Sequence, residues 1–330
     1  MLGAALIAVA ALASASGGDR AGLAFSRGDA IWVARADGSD ARRLVRHGWG
    51  ATLSPDGRRV AYFVLLGRAP DSPSVLYVID VDGRNRRRIG KDLGRPAWSP
   101  GGRWLATSSD KALLVVDAAT GERREVARSE VYSARFAPSG GSLVYGLANG
   151  KAGRRYRSDV YVSRLSDGRI TRLTRDGHSD DPVWGGRWIV YRHFWFAGEW
   201  SMGRLRLMPA DGSESRAFAR GDERVSQAAM GLDTVELSAD GTHLLACAAH
   251  EFYCSPVTFT VPQGRRRVLS VPTKIHELAY AEDLSRDGQA VLVDAGPFDG
   301  DAHHRAYAVP FDGGKPRLLV REAYSPSWAR

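Results

Sequence analysis

Short hydrophobic runs separated by glycine-containing turns recur along the chain from about residue 21. Many runs alternate apolar with polar residues or are rich in Val, Ile and aromatic residues, which predicts β-strands. In one unit the runs are residues 95–99, 104–107, 112–117 and 123–127. Glycine in the turns supplies the positive φ of a tight hairpin at little steric cost. The pattern predicts four-stranded antiparallel units and no amphipathic helix.

Two markers show that this unit occurs seven times. One is a glycine in the turn after the third run, at Gly38, Gly83, Gly121, Gly168, Gly212, Gly264 and Gly313. The other is a bulky residue that ends the first run, at Leu53, Trp98, Phe136, Trp184, Leu237, Leu284 and Trp328. Both sets have a mean spacing of about 46 residues, which is typical of propeller blades. The sequence therefore predicts an all-β, seven-bladed β-propeller of four-stranded antiparallel blades.

The two ends of the chain predict how the ring closes. The first unit lacks its first strand, and residues 325–329 carry that strand's motif alone. Pairing of this C-terminal strand with the N-terminal blade would remove an open sheet edge. An open sandwich, the alternative, does not account for a solitary first-strand motif. We therefore expect one β-propeller domain over residues 21–330.

Several segments resemble the repeat of TolB-type propellers, within the wider class of WD-repeat-like propellers. They are residues 53–57 (LSPDG), 76–83 (LYVIDVDG), 96–102 (PAWSPGG), 171–174 (TRLT), 238–241 (SADG) and 285–288 (SRDG). The resemblance covers nearly the whole chain from about residue 21. It implies the propeller fold and suggests a protein-binding role, although similar repeats also accompany peptidase domains.

Residues 1–20 differ in composition from the rest of the chain. Residues 2–12 are almost wholly apolar, and the small residues that follow offer an Ala-x-Ala cleavage pattern after Ala15. This arrangement is typical of a signal peptide, but no Lys or Arg precedes the apolar run, so a short N-terminal anchor is the alternative. We expect an exported protein, periplasmic or extracellular, that touches a membrane only through residues 2–12 if they are uncleaved.

Charge is the second compositional signal. The chain has 44% hydrophobic and 25% charged residues and a net charge of +9, which could suit an anionic partner. Its arginine groups, however, follow the repeat turns and are predicted on outer strands around the rim, where charge discourages edge pairing. They are Arg42, Arg43, Arg86, Arg87, Arg88, Arg123, Arg124, Arg265, Arg266, Arg267 and Arg317. We therefore expect a monomer without a nucleic-acid partner.

The longer connections all fall on one face of the predicted disc, where loops on a rigid scaffold usually carry function. Candidate binding residues there come from three segments. They are His178, Asp180 and Asp181 before the fifth blade, His193, Trp195 and Trp200 in an aromatic-rich connection, and Arg155 and Tyr156 in a basic loop. The structural alternatives are local turn hydrogen bonds for the first segment and blade packing for the aromatic one.

Two further groups suggest a metal site and a disulfide. Asp299, Asp301 and His303 bring oxygen and nitrogen donors together and could hold a divalent cation, with a solvated loop as the alternative. No other cofactor is expected. Cys247 and Cys254 flank a predicted hairpin turn of the sixth blade, and export would allow them to form a disulfide. Two buried thiols are the alternative.

The chain carries no Gly-x-Ser-x-Gly, His-Glu-x-x-His, P-loop or paired Cys-x-x-Cys motif. We therefore expect a non-catalytic module that binds a protein or cell-envelope component. The alternative is an extracytoplasmic propeller enzyme, of hydrolase or lactonase type, with a metal-assisted site at the channel mouth. The binding module requires an exposed apolar patch with a polar rim, whereas the enzyme requires converging Asp, Glu and His side chains.

Overall fold

The computed structural model describes residues 20–67, 72–152, 155–198, 200–218, 231–249, 254–273, 277–297 and 303–330. These ranges contain twenty-eight β-strands and no helix. Accordingly, no helical segment of the described chain is long and apolar enough to cross a bilayer. The expected signal peptide or anchor at residues 1–20 lies almost entirely outside the described residues.

The first fifteen strands in chain order are β1 (Leu23–Arg27), β2 (Ala30–Ala34), β3 (Arg42–Val45), β4 (Trp49–Leu53), β5 (Arg59–Leu65), β6 (Ser74–Asp80), β7 (Arg87–Lys91), β8 (Ala97–Trp98), β9 (Trp104–Ser108), β10 (Leu113–Asp117), β11 (Arg123–Ala127), β12 (Val131–Phe136), β13 (Ser142–Ala152), β14 (Arg155–Arg164) and β15 (Ile170–Arg172). The remaining strands are β16 (Ser179–Gly185), β17 (Trp188–Ala197), β18 (Trp200–Pro209), β19 (Arg216–Ala217), β20 (Gly231–Leu237), β21 (His243–Ala249), β22 (Cys254–Thr260), β23 (Arg265–Val268), β24 (Glu277–Leu284), β25 (Ala290–Pro297), β26 (Arg305–Pro310), β27 (Arg317–Arg321) and β28 (Tyr324–Trp328).

The strands form seven antiparallel blades arranged in a ring, as the sequence predicts. Blade 1 has the order β28-β1-β2-β3, and each later blade takes the next four strands from the inside outward. Blades 5 and 6 also share one parallel bridge, between Gly203 and Gly231. The prediction of a seven-bladed all-β propeller is confirmed.

The closing strand makes the predicted contact. β28 pairs antiparallel with β1, with Leu23 opposite Trp328 and Ala24 opposite Ser327. The Ser327 hydroxyl also accepts a hydrogen bond at 3.2 Å from the backbone N–H of Leu53 in blade 2. The C-terminal strand therefore completes blade 1 and joins it to its neighbour.

The hydrophobic core lies between the faces of adjacent blades. Because alternate residues of a strand face opposite sides, each blade packs one set of side chains against the preceding blade and one against the next. At the closure, Leu23, Phe25 and Trp328 of blade 1 pack with Leu292 and Val320 of blade 7. The ring is thus held by inter-blade packing as well as by strand pairing.

The Ser-x-Asp-Gly motif builds the short turns of one face of the disc. In blade 2 the Ser54 hydroxyl donates to Asp56 at 2.6 Å and accepts from the N–H of Arg59 at 2.9 Å. Gly57 has a φ of 70°, and a Cβ there would lie 2.3 Å from the carbonyl oxygen of Ala21. The same serine-to-aspartate bond, at 2.6 Å, recurs at Ser238–Asp240 and Ser285–Asp287. The repeated motif is therefore explained by turn geometry.

The arginine groups lie where the sequence places them. They fall on or directly before the outermost strands β3, β7, β11, β23 and β27, and their side chains are exposed. One of them, Arg123, donates to the carbonyl of Ile89 in the neighbouring blade at 2.9 Å. Much of the basic excess is therefore spread around the rim.

Candidate functional site

Two neighbouring hairpins project from the face of the disc that carries the longer connections. β13 and β14 have eleven and ten residues, and β17 and β18 have ten each, whereas the equivalent strands of blade 3 have five. Five extra residues lengthen a strand by about 16 Å. The predicted basic loop of Arg155 and Tyr156 and the aromatic-rich connection of Trp195 and Trp200 are therefore largely strand and not loop. The strand pairing runs out to Ala152–Arg155 in one hairpin and to Ala197–Trp200 in the other.

Arg192, on β17, is the centre of the site between these hairpins. Its Nε and Nη2 donate to the two carboxylate oxygens of Asp180, each at 2.7 Å. Nη1 donates to Asp233 of blade 6 at 3.1 Å, and Nη2 also donates to the hydroxyl of Tyr156 at 3.2 Å. One guanidinium thus connects residues of blades 4, 5 and 6.

Burial and charge shift the pKa values of this group in a consistent way. Burial, followed by the nearby carboxylates of Asp181 and Asp233, raises the pKa of Asp180 against the opposing effect of Arg192. Burial also raises the pKa of Asp233. Although burial disfavours its charge, the hydrogen bond and charge of Asp180 raise the pKa of Arg192. The guanidinium therefore remains charged under all ordinary conditions.

A second polar group adjoins the first. His193 Nδ1 lies 3.2 Å from a carboxylate oxygen of Asp176, whose other oxygen accepts from the N–H of His178 at 2.9 Å and from the Ser179 hydroxyl at 2.9 Å. Burial opposes ionisation, but the bonds from His193, His178 and Ser179 lower the pKa of Asp176 below its usual range. Asp176 therefore contacts both histidines: its carboxylate accepts from the backbone N–H of His178, its carbonyl oxygen lies 2.8 Å from His178 Nδ1, and its second carboxylate oxygen lies 3.2 Å from His193 Nδ1.

Aromatic rings form a continuous layer beside these polar groups. The ring centroid of Tyr156 lies 5.2 Å from Tyr132, 4.8 Å from Phe194 and 5.7 Å from Phe196. The His178 ring lies 5.5 Å from Phe194. Phe194 is fully buried, Tyr132 is 37% exposed, and the other three are partly exposed. We call Tyr132, Tyr156, His178, His193 and Phe196 the aromatic surface.

The structure separates the other predicted binding residues. Trp195 is partly exposed, and the guanidinium of Arg204 lies 4.9 Å above its ring. For Arg155 and Trp200 only the backbone position, at the start of β14 and of β18, is described. Thus His178, Asp180, His193 and Tyr156 are brought together, and Trp195 lies two residues after His193 on β17, against Arg204 of β18.

Asp181 has an unusual backbone at this site. Its φ is 44°, in the left-handed region that non-glycine residues rarely adopt. Its carbonyl accepts a hydrogen bond from the hydroxyl of Thr234 in blade 6. Gly50 and Ser325 take positive φ at the same position of their own inner strands. The conformation is therefore a recurrent feature of the inner strand.

The predicted metal ligands are only partly described. His303 is exposed with a φ of 71°, while Asp299 and Asp301 lie outside the described residues. In the described part of the chain, no group of three or more His, Cys, Asp or Glu side chains is placed to hold a metal ion. The divalent-cation site therefore stays a prediction.

Ion pairs between inner strands span the channel below the site. Arg95 pairs with Glu282 at 3.5 Å and joins blade 3 to blade 7, and Arg135 pairs with Glu236 at 3.8 Å and joins blade 4 to blade 6. Arg330, at the end of the chain, pairs with Glu236 of blade 6 at 2.6 Å and with Asp283 of blade 7 at 2.8 Å. Three cations thus meet three carboxylates, and the charges of this group balance.

Four residues of the site are not among the candidate binding residues chosen from the sequence: Asp176 and Arg192, which lie within two of the candidate segments, and Asp233 and Tyr132. Tyr132 and Asp233 had a signal, because both lie four residues before the bulky residue that ends an inner strand, as does Asp180. Arg192 lies opposite Asp180 in the β16–β17 pairing, but only across a register shift between Asp180 and Val183. Simple counting from the turn would not have paired them.

No protein-family model and no curated protein sequence matches the chain. Among solved structures, TolB from Acinetobacter baumannii is similar with a TM-score of 0.57 and 19% identity, covering 83% of this chain and 67% of TolB. The β-propeller domain of the Trilobed protease from Pyrococcus furiosus has a TM-score of 0.65 at 12% identity, covering 92% and 97%. An oligogalacturonate lyase in complex with manganese has a TM-score of 0.59 at 14% identity, covering 92% and 86%.

These structural similarities establish the fold and leave the function open, because one fold can carry many unrelated activities. A TolB, a domain of a protease and a lyase all share the architecture. The chain is a seven-bladed β-propeller with TolB-like propellers among its structural neighbours.

Proposed function

We propose that the chain is an extracytoplasmic, non-catalytic binding module that contacts a protein or cell-envelope component through the aromatic surface. The observation that carries the proposal is the pair of long hairpins, which hold partly exposed aromatic rings above the face. Protein interfaces commonly have an apolar centre surrounded by polar residues, and aromatic side chains in that centre contribute much of the binding energy. TolB-like neighbours add support to a binding role.

The polar groups beneath the rings favour binding over catalysis. Arg192 holds Asp180 through two hydrogen bonds, and Asp176 is engaged by His193, His178 and Ser179. These side chains already bond to one another, so they act to position the rings above them. A rigid platform of this kind lowers the entropic cost of binding.

The test shortens one hairpin. Residues 195–202 are replaced by Asn-Gly, a pair that favours a tight hairpin turn and would join Phe194 to Gly203, which lie opposite each other. We expect the variant to melt cooperatively but to capture little of what the wild type enriches from an envelope extract, measured by quantitative mass spectrometry. Ile170→Ser, which changes a 47% exposed residue of β15, is the control and should bind normally.

Unchanged capture by the shortened protein would overturn the proposal. The same preparation also tests the enzyme alternative through its content of divalent metal. A stoichiometric metal ion that is lost on changing Asp299, Asp301 and His303 together would favour a metal-assisted site.

A further inference from the structure

The outermost strand of blade 6, β23, carries three consecutive arginines, Arg265, Arg266 and Arg267. All residues of this strand are exposed, and it ends its blade, paired with β22. None of the three guanidiniums forms a hydrogen bond or an ion pair with any residue that the structure describes. Because each guanidinium has five N–H donors, β23 presents a row of unused donors to the solvent.

Arginines of other outer strands are already engaged. Arg42 of β3, Arg87 of β7 and Arg123 of β11 each donate to a backbone carbonyl of the neighbouring blade. These bonds tie one blade to the next at the rim, so those arginines have a structural role. The arginines of β23 make no such bond within the described chain, and their donors remain available.

Contacts on both sides of β23 show how its arginines are disposed. Alternate residues of a strand face opposite sides, so the first and third arginines share one side, with Cα atoms about 7 Å apart. Arg267 faces blade 7, since a Cβ on Gly313 would lie 2.6 Å from its Cδ. Arg266 faces blade 5, because its cross-strand partner packs with that blade. There Arg216 of β19 donates to the carbonyl of Pro262 at 3.3 Å and adds a fourth guanidinium.

We call Arg216, Arg265, Arg266 and Arg267 the basic rim patch. The outer segments around it hold six basic and three acidic side chains, all of them exposed, over residues 210–217, 262–268 and 311–317. Of the acidic ones, Asp211, Glu214 and Asp312, none forms an ion pair with a described residue. Residues 219–230 and 274–276, outside the described chain, add three basic and two acidic residues by sequence. The local charge is therefore positive.

We propose that the basic rim patch binds a linear anionic polymer of the cell envelope, through phosphate or carboxylate groups that repeat along the polymer. A guanidinium forms paired hydrogen bonds with either oxyanion, and its planar fork fits them better than the ammonium of lysine does. A polymer can cross β23 from one side to the other, so several weak contacts add to its affinity. This site lies on the rim, away from the aromatic surface, and goes beyond the proposed function.

A nucleic acid fits the patch less well. Proteins that bind single strands combine positive charge with aromatic rings on which the bases stack. The exposed residues of the three outer segments include no aromatic side chain, and the one large apolar side chain exposed on β23 is Val268. The patch therefore offers contacts to a charged backbone and none to bases.

The test measures the fluorescence anisotropy of three labelled probes mixed with the full chain: inorganic polyphosphate, the polyuronate alginate, and oligo(dT). We expect polyphosphate, alginate or both to bind, and the tighter of the two identifies the oxyanion. Replacing Arg265, Arg266 and Arg267 together by glutamine should weaken that binding about tenfold or more. The logarithm of the association constant should also fall less steeply with the logarithm of salt concentration, by about 2, since each contact with a single strand of phosphates contributes about 0.7.

The matched control replaces Arg42, Arg87 and Arg123 by glutamine, which removes the same charge from engaged positions elsewhere on the rim. Its binding should stay within about twofold of the wild type, because exposed charges more than about 10 Å away are screened. Calorimetry checks that both variants melt cooperatively.

Three results would overturn the inference: no binding of polyphosphate or alginate, equal losses in the two variants, or tighter binding of oligo(dT) than of either polymer. The variant with the shortened β17–β18 hairpin should bind the polymers as the wild type does. Its capture of envelope components tests the proposed function separately, so failure of one proposal is distinguishable from failure of the other.

Discussion

Arg192 shows how a single side chain fixes the geometry of the candidate site. It is 15% exposed and pairs with Asp180, which is 2% exposed, as well as with Asp233. The cost of burying these charges is offset only while every partner is present, so removing one leaves the others unpaired in a poorly hydrated place. The residue therefore matters for stability as well as for position.

Arg192→Ala is expected to lower the free energy of unfolding by roughly 3 to 5 kcal/mol, because it leaves Asp180 without its bidentate partner. Urea denaturation followed by tryptophan fluorescence measures the change. The matched control is Arg175→Ala, an exposed arginine near the same face, for which a change within about 0.5 kcal/mol is expected. Equal effects from the two substitutions would contradict the role given to Arg192.

Glu282 gives the stability a defined pH dependence. Burial raises its pKa from 4.5 to about 7, with Arg95 opposing and Asp294 adding to the shift. The folded protein therefore keeps the proton that the unfolded chain releases near pH 4.5. The stabilising contribution is fully present below pH 4.5 and is lost as the pH rises through about 7.

We accordingly expect the free energy of unfolding, measured by urea denaturation, to be larger at pH 5 than at pH 8. Glu282→Gln should reduce that difference by an amount on the order of 3 kcal/mol, since a neutral amide does not titrate. Buried Asp180 and Asp283 and partly buried Asp233, whose pKa values are also raised, account for the part that remains. Glu214→Gln, an exposed control, should keep the full difference; a flat wild-type profile would contradict the prediction.

At the scale of elements, hairpin length distinguishes blades 4 and 5 from blade 3. All seven blades have the same four-stranded order, but the two middle strands of blades 4 and 5 are about twice as long as those of blade 3. Strand pairing lets a connection project from the face while its backbone groups remain hydrogen-bonded. A rigid projecting surface can thus be built without a long irregular loop.

The hairpin of blade 6 carries the predicted disulfide. Cys247 is disulfide-bonded, and Cys254 is the other cysteine of the chain. Cys247 lies opposite Pro256 and Ala249 lies opposite Cys254, so the two cysteines are diagonal neighbours on the same face of the β21–β22 pair. The side chain of Cys254 lies outside the described residues.

We expect intact mass after alkylation under denaturing, non-reducing conditions to show no modified thiol. Replacing both cysteines by alanine should lower stability by about 2 kcal/mol, because the bridge closes a short loop of the unfolded chain. Two alkylated thiols in the wild type would contradict the bridge, and the double variant would then melt close to the wild type.

For the whole molecule, closure depends on the last strand. β28 pairs with β1, and Trp328 is buried against blade 7. The N–H of Ser325 donates to Asp294 at 3.1 Å, and the N–H of Trp328 donates to Asp283 at 3.0 Å. The strand is therefore bonded to blade 1 on one side and to blade 7 on the other.

Deleting residues 324–330 should abolish cooperative melting and cause aggregation, because it exposes the edge of β1 and removes a buried tryptophan. Size-exclusion chromatography and calorimetry measure both effects. Deleting Arg330 alone keeps the strand pairing and should give a soluble protein that still melts cooperatively, but at a lower temperature because Asp283 and Glu236 lose their ion pairs. A soluble long truncation that melts like the wild type would contradict this account of closure.

The sequence by itself determined the blade count, the closure and the two faces of the disc. Turn glycines and the bulky residues such as Trp98 and Trp328 act through local geometry and period, which are properties of consecutive residues. It also located His178, Asp180 and Tyr156 on the face that carries the longer connections, because the short Gly-containing turns all lie on the other face.

Only the tertiary structure decided which of these side chains meet. The register shift in β16 places Arg192, instead of His193, opposite Asp180, since one extra residue in a strand moves every later side chain by one position. Strand extension turned two expected loops into hairpins, because pairing depends on the facing strand and not on either segment alone. The repeat gives the position of Asp233 in its inner strand, but its contact with Arg192 of the neighbouring blade is set by the curvature of the ring.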